Sequence, residues 1–523
     1  GFRPLPGGQG GGGAGFQPDG MRRVVIVGGG IGGLTTALHL KDGASLVPGG
    51  LDVLVLEASS RPGGNIQTDR IDGFTIERGP NGYLDNVPTT PALVRRLGLQ
   101  GEVQRADGSA GKRFLYRSGK LHLLPSGPVG FLKSPVLSLR GRLRVLGEPF
   151  ARGKPEGVDE SIFDFASRRI GREAASVLID AMVSGVFAGN VHELSLASSF
   201  PKMAAMEAEH GGLVKAMLGR MKGRRVARRE VEERRRRGED VEDLVQPGGP
   251  AGPGGTLTSF RQGLDTLPIA AARELGDSVR YGVEVVSVGR GLEEGLEDGL
   301  EGTGGSSDPG LSMAPWVVRA AAGEAVSADA VVIAVPAPRA GPLLKDLDER
   351  LSRTVGQIRT AGLAVVALAF DAVAMGGAPE GFGFLVPRGT GPRILGCLWD
   401  SSIFPGRAPE GKVLLRAMVG GAHDPEAVVE GEGALVSEIR SDLRDTMGLE
   451  APPLFARVYR WPLGIGQYTV GHGDRMARIQ DRLNDLPKLW VAGSSFHGIS
   501  MNSCIEKAGE QAEEILSSLQ TGH

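Results

Sequence analysis

Residues Gly28-Gly29-Gly30-Ile31-Gly32-Gly33 constrain this chain more than any other stretch. They follow a short apolar run, Arg23–Val27, and open a segment with helical spacing, Ile31–Leu40. In a strand–turn–helix unit each glycine position has a physical task. The first permits the tight turn, the second lets the backbone approach a pyrophosphate, and the third lets helix and strand pack closely. The helix N-terminus then offers free N–H groups and a partial positive charge to phosphates. A second β-rich run, Leu51–Leu56, ends at Glu57, 24 residues beyond Gly33. An acid there accepts hydrogen bonds from a ribose and repels a 2′-phosphate. This spacing predicts a dinucleotide site on a parallel α/β sheet.

Composition sets the frame around that site. The length of 523 residues allows two to four domains, at roughly 100–200 residues each. Lys and Arg number 59 against 61 Asp and Glu, so the charge balance gives no footprint for nucleic acid. An aromatic content of 5% argues against base-stacking platforms. Two cysteines, Cys397 and Cys504, exclude a disulfide scaffold and a multi-thiolate metal site, and no His-x-x-x-His pair of the zincin type occurs. No metal is therefore expected. No apolar run reaches 18 residues, so no membrane-spanning helix is expected.

Some segments read as appendages. Residues 1–20 are mostly Gly, Pro and polar and are expected to be disordered; they lack the apolar core of a secretory signal. Arg220–Asp243 holds ten basic and seven acidic residues and reads as a solvated, mixed-charge insertion. Leu292–Leu311 is acidic and Gly/Ser-rich and reads as an exposed loop. Ala330–Val335, bounded by Pro336, and Tyr281–Val288 read as further strands.

NAD and FAD both use the glycine-loop fold. A second pair, Gly63-Gly64 after Arg61-Pro62, resembles the pattern of two-dinucleotide-domain flavoproteins, which implies a second backbone stretch close against the extended cofactor. At the far end Leu489–Ala492 reads as a strand, Gly493 breaks it, and Asn502–Leu516 has helical spacing. That arrangement can aim another helix N-terminus at a flavin ring.

Several stretches carry a family likeness: Glu77-Arg78-Gly79-Pro80-Asn81, Lys112-Arg113-Phe114-Leu115-Tyr116, Ser184-Gly185-Val186-Phe187-Ala188-Gly189-Asn190, Phe382-Gly383-Phe384-Leu385-Val386-Pro387, Arg460-Trp461-Pro462-Leu463-Gly464-Ile465-Gly466-Gln467-Tyr468 and Gly498-Ile499-Ser500-Met501-Asn502-Ser503-Cys504. With them the chain resembles the oxygen-dependent protoporphyrinogen oxidases of the flavin amine oxidase superfamily, from about Val24 to Leu516. Gly466 stands where that family usually has Pro, Asn190 where it has Asp, and Gly82 where it has Ser or a similar residue.

The resemblance implies an α/β fold with three parts. A Rossmann-like FAD domain of the two-dinucleotide-domain type would be assembled from 21–105, 256–345 and 456–523. A helical membrane-contact domain would cover 106–221, a charged Gly/Pro-rich insertion 222–255, and a mixed-sheet substrate domain 346–455. FAD contacts carried over by position are Gly28, Gly29, Gly30, Ile31, Gly32, Gly33, Glu57, Ala58, Arg61, Gly64, Gly79, Pro80, Asn81, Gly82, Val285, Trp461, Ile499, Ser500 and Met501. The substrate would be a flat tetrapyrrole with propionate arms. Arg113 would grip a propionate, because guanidinium holds a carboxylate with two parallel N–H bonds. Leu385 and Trp399 would sandwich a pyrrole ring, and Asn81 would act at the active face of the flavin.

The implied reaction removes six hydrogens in three hydride transfers, with O2 as acceptor and H2O2 as product. The protein would mainly supply position and electrostatics. A peripheral membrane contact and a homodimer also fit the resemblance, in the cytoplasm or on a membrane, or in an organelle if the N-terminal extension is a transit remnant. Related readings are a coproporphyrinogen III oxidase of the same fold, an amine oxidase or carotene desaturase, and a FAD-holding factor without turnover. Ser500 stands where an amine oxidase carries an aromatic cage residue, which argues against that reading.

Overall fold

In a computed structural model the chain is described over residues 21–125, 127–154, 157–216, 237, 255–291 and 316–520. The N-terminal twenty residues, nearly all of Arg220–Asp243, and Leu292–Leu311 lie outside the described residues.

The apolar run after Met21 forms the strand Arg22–Val27, with Val24, Val25 and Ile26 fully buried. Val24 and Ile26 enter one core cluster while Val25 and Val27 enter another, so both faces of the strand are covered. A parallel sheet with helices on both sides makes that demand of a strand. The strand lies at the centre of a five-stranded parallel sheet, in the order Val279–Tyr281, Leu51–Glu57, Arg22–Val27, Ala330–Ile333, Leu489–Val491. Register aligns Val24 with both Val53 and Ala330. These strands come from all three sequence segments grouped above as the FAD domain. Helix Ile31–Asp42 covers one face together with the terminal helix Met501–Gln520; Gly43 packs so closely there that a Cβ would lie 2.3 Å from Leu516 Cδ1.

Tyr281–Val288 is not one strand. Gly282, at φ +72°, turns the chain after Tyr281. Val279–Tyr281 stays in the parallel sheet, while Val285–Arg290 pairs antiparallel with Trp316–Ala320. The β-branched residues on each side of Gly282 gave a continuous strand signal, and the glycine φ overrides it.

A seven-stranded mixed sheet forms the second layer. Its order is Phe455–Gly466, Thr360–Asp371, Lys412–Gly420, Gly396–Leu398, Gly383–Leu385, Arg113–Arg117, Lys120–Leu123. Arg113–Arg117 pairs parallel with Gly383–Leu385; the other pairings are antiparallel. Two segment bounds inferred from the sequence therefore differ from the pairing. The hairpin 113–123 falls in the span assigned to the helical domain, and 456–466 in the span assigned to the FAD domain, yet both edge this sheet. Each supplies backbone partners that the sheet edge would otherwise leave unpaired.

Helices follow from Pro128, including Leu139–Leu146, Ile162–Ile170, Asp180–Phe187 and Pro201–His210. Ser138 and Ser161 cap two of them, each hydroxyl accepting from the backbone N–H three residues on. Among the described residues no helix is long and apolar enough to cross a membrane.

Candidate active site

The glycine loop has the shape its sequence demands. Gly28 adopts φ +112°, and a Cβ there would meet Ala334 O at 2.7 Å. At Gly33 a Cβ would lie 2.2 Å from Gly28 O, which closes that position to every other residue. Gly30 is different: a Cβ would meet nothing within 4 Å. It is also the N-cap of helix Ile31–Asp42 and offers no side-chain cap. Open space therefore stands where the first-turn N–H groups need an acceptor, which is the condition for holding a phosphate.

Glu57 closes this pocket. Its Oε2 accepts from Gly29 N at 2.7 Å and its Oε1 from Ser59 N at 2.8 Å. Two backbone donors fix the carboxylate at the strand end beside Ala58, where a ribose hydroxyl could donate to it. Val283 N donates to Glu57 O, which brings the start of the Val285 strand to the same end of the sheet.

The second glycine pair docks onto the first. Gly63 N donates to Gly29 O at 2.8 Å, and Gly64, exposed, lies beside Gly30. Arg61 reaches Asp265 at 3.6 Å. Gly493, at φ +98°, packs on Gly32 from the terminal strand–turn–helix unit. Ile499 is half-buried and Met501 buried, while exposed Ser500 accepts from Ser503 N and so caps the terminal helix.

A second group of residues positions Asn81. Trp461 donates its indole N–H to Arg78 O at 2.6 Å and packs beside Gly79. Arg416, 2% exposed, donates to Glu77 O at 2.7 Å and Gly79 O at 3.0 Å and pairs with buried Asp400. Glu77 is itself buried. It accepts from Thr68 and Leu264 N and pairs with Arg407 at 2.8 Å. Burial pushes its carboxyl above the usual range, against the pull of Arg407. This buried ionic scaffold holds the turn through exposed Pro80 to Asn81 and Gly82. Both polar atoms of the Asn81 amide are buried without a partner among the described residues. Such an amide requires a ligand or water to complete it.

The candidate substrate residues divide. Strand pairing aligns Arg113 with Gly383, Leu115 with Leu385 and Gly383 with Leu398. Alternation then puts Arg113, Leu115, Leu385 and Leu398 on one face, with Phe114, Phe384 and Cys397 on the other. Trp399 packs against Phe114 on that second face, ring centroids 5.2 Å apart, and is 4% exposed. Leu385 and Trp399 therefore do not sandwich a ring between them. Leu398, next to Trp399 in sequence, shares the face of Leu385 instead. Arg113 stacks its guanidinium over Phe382 at 4.7 Å, and its Nε is buried without a partner. Burial lowers its pKa, and no carboxylate opposes that effect.

The glycine loop, Glu57 and the Asn81 turn thus offer features that suit a dinucleotide, and a separate sheet face carries Arg113 with no acidic partner among the described residues. The chain matches the flavin containing amine oxidoreductase family over residues 31–516. It belongs to that family. Its cofactor is FAD, and the open space at Gly30, the fixed Glu57 carboxylate and the unpartnered Asn81 amide fit that molecule.

Among named relatives, protoporphyrinogen oxidase from Bos taurus is 33% identical, over 95% of this chain and 98% of its own length. Coproporphyrinogen III oxidase from Bacillus subtilis is 29% identical, over 96% and 99%. A crystal structure from Exiguobacterium sp. 255-15 superposes with a TM-score of 0.75 at 26% identity, covering 95% of this chain and 99% of that one. Cyclohexylamine oxidase from Brevibacterium oxydans shares the fold, with a TM-score of 0.65 at 15% identity, over 95% and 99%.

Sequence reasoning missed three things in this flavoenzyme. Arg416 and Asp400 carried no signal, because their role comes from contact with a segment more than 300 residues away. Leu398 could have been found from the period-two pattern once its pairing with Gly383 was fixed. His472 is buried, stacked on Tyr468 at 4.2 Å, with neither ring nitrogen partnered. Tyr468 in turn donates to Ser494 O and accepts from Gly498 N, in the loop that leads to Ile499. Both cysteines are buried free thiols, and burial raises both pKa values, so neither is a ready nucleophile.

Proposed function

We propose that this chain oxidises protoporphyrinogen IX to protoporphyrin IX, with O2 as the final acceptor. The observation that carries the reading is Arg113, a desolvated guanidinium with no acidic partner among the described residues, on the same face as Leu385 and Leu398. An arginine kept in that state is suited to an anionic group on an otherwise apolar, flat substrate. Its stacking on Phe382 holds the fork in one orientation before the substrate arrives.

FAD bound at the glycine loop supplies the two-electron acceptor for hydride leaving the substrate. The protein residues act by position. Arg113 fixes one edge of the tetrapyrrole through a propionate. Leu385 and Leu398 cover a ring with apolar surface and exclude water. Asn81, held by the Arg416 and Trp461 contacts to its turn, completes its amide on substrate or cofactor. A carbon–hydrogen bond held against the acceptor in this way reacts with little reorganisation.

The assay is direct. Purified protein is mixed in air with protoporphyrinogen or coproporphyrinogen, and porphyrin fluorescence is followed. Rapid product from protoporphyrinogen with little from coproporphyrinogen supports the reading. The reverse order assigns the chain to the coproporphyrinogen-oxidising activity named for its Bacillus relative. No flavin-dependent rate with either substrate removes both.

A membrane-surface role belongs to the same proposal. Phe150 is 89% exposed, Val129 68% and Leu139 65%, with Leu143 and Leu146 beside them. Lys133 and Arg140 are exposed among them. Apolar side chains on short helices with interspersed cations suit an anionic interface better than bulk water. Sedimentation with anionic vesicles should retain the wild-type protein and release Phe150→Glu; equal retention of both would remove this contact.

A further inference from the structure

Arg388 lies three residues beyond Leu385, where the chain leaves the sheet face that carries Arg113. Its Nε donates to both carboxylate oxygens of Asp180 at 2.9 Å, and its Nη2 donates to the same carboxylate. Asp180 is 4% exposed and opens the helix Asp180–Phe187. Ala181, the next residue, packs in one cluster with Leu115 and Leu385. Gly185, further along the helix, sits so close that a Cβ would lie 2.5 Å from Leu385 Cδ2. The ion pair therefore closes the edge of the wall that Arg113 and Leu385 share. The Nη1 of Arg388 also meets the ring of His423, whose pKa burial and Arg388 hold below its ordinary value, so the ring adds no charge at neutral pH.

Arg113 and Arg388 thus border this face in opposite states. Arg113 is uncompensated, whereas Arg388 is neutralised by a buried carboxylate. We infer that Asp180 is a specificity-determining residue: by occupying Arg388 it limits the number of substrate carboxylates that the wall can pair. A tetrapyrrole with propionates on one side finds its counter-charge at Arg113. One with propionates on both sides brings further carboxylates to a rim where the available guanidinium is already taken and the Asp180 charge opposes them. Asp180 acts through Arg388 and is a positioning residue in this sense. The inference rests on the porphyrinogen reading above.

The test compares wild type, Asp180→Asn and the double variant Asp180→Asn/Arg388→Gln. Each is measured with protoporphyrinogen and coproporphyrinogen, and each is titrated with coproporphyrin III and protoporphyrin IX by fluorescence quenching without turnover. Asp180→Asn keeps the shape and removes the charge, so Arg388 becomes free to pair. The ratio of kcat/KM for coproporphyrinogen over protoporphyrinogen should rise at least tenfold, with coproporphyrin III binding tightened in parallel. The double variant should return the ratio to the wild-type value. A general loosening of the helix would lower both substrates together and leave the ratio unmoved.

A ratio within twofold of wild type in flavin-loaded Asp180→Asn overturns the inference, as does a raised ratio that persists in the double variant. Should Asp180→Asn fail to fold, Asp180→Ser supplies the same readout, since it also removes the charge and must raise the ratio; an unchanged ratio there overturns the inference likewise. A wild-type preference for coproporphyrinogen would instead overturn the protoporphyrinogen assignment, and is seen before any variant is made.

Discussion

Replacing Arg113 gives the sharpest check on the substrate wall. The guanidinium has no carboxylate partner, its Nε is buried unpaired, and burial alone lowers its pKa. The free protein therefore already bears the desolvation of this cation, and a substrate propionate restores what burial removed. Hydrogen bonds between charged groups are worth about 1.5–3 kcal/mol net. Taking a two-pronged contact at about 3 kcal/mol, Arg113→Ala should lower kcat/KM by roughly 150-fold, since about 1.36 kcal/mol is tenfold. The contact exists before and during hydride transfer alike, so the loss should appear mainly in KM. Arg113→Lys keeps the charge and loses the fork, and should fall between, at about tenfold.

Stability gives an independent sign. No buried acid is stranded when Arg113 goes, so thermal unfolding of Arg113→Ala should match or exceed wild type. Steady-state kinetics with protoporphyrinogen and a melting curve on the same preparation decide the matter. An unchanged KM in a fully flavin-loaded Arg113→Ala protein would refute the reasoning.

Further predictions concern the scaffold. Gly33→Ala would put a methyl group 2.2 Å from Gly28 O, so the purified variant should lack the flavin absorbance that wild type retains; a yellow variant with wild-type affinity would contradict the assignment of this loop. Arg416→Met strands the buried Asp400 carboxylate and should destabilise by about 3–5 kcal/mol in denaturant unfolding. It should also weaken flavin retention, because Glu77 O and Gly79 O lose their donor. His472 is pushed down to about 4 by burial, with Arg475 adding to the effect. The unfolded chain takes this proton near the ordinary value of about 6.5 while the folded chain does not. Stability should therefore fall as pH drops from about 6.5 towards 4, by up to roughly 3 kcal/mol from this residue. His472→Phe should flatten that part of the profile, and an identical pH dependence in both proteins would exclude the residue as its source.

What the sequence disclosed follows the range of the forces involved. The glycine loop was legible because its constraints are local: Gly28 needs its positive φ, and Gly33 needs the absence of a Cβ against a residue five positions away. The buried strands were legible for a similar reason, since residues covered on both faces must read as continuous apolar runs. Where a side chain points depends instead on pairing with distant strands. Leu398 and Trp399 are neighbours, both large and apolar, yet a single step along the chain moves one to the face that carries Arg113 and the other into the core behind it. Their assignment turns on the register Gly383↔Leu398 and on where the strand ends, and no local pattern fixes either.

The buried charges extend the same argument. Asp180 and Arg388 are 208 residues apart, and Arg416 reaches a turn more than 300 residues away. In sequence each is an ordinary charged residue in a chain whose acids and bases nearly cancel. In the fold their states diverge, because an arginine held by a buried acid keeps structure, while one with no acid partner among the described residues is free to meet a ligand. Arg416 and Arg388 belong to the first kind and Arg113 to the second. The motif stretches name Arg113 alone of the three, and which arginine stays open to a ligand depends on where the carboxylates lie.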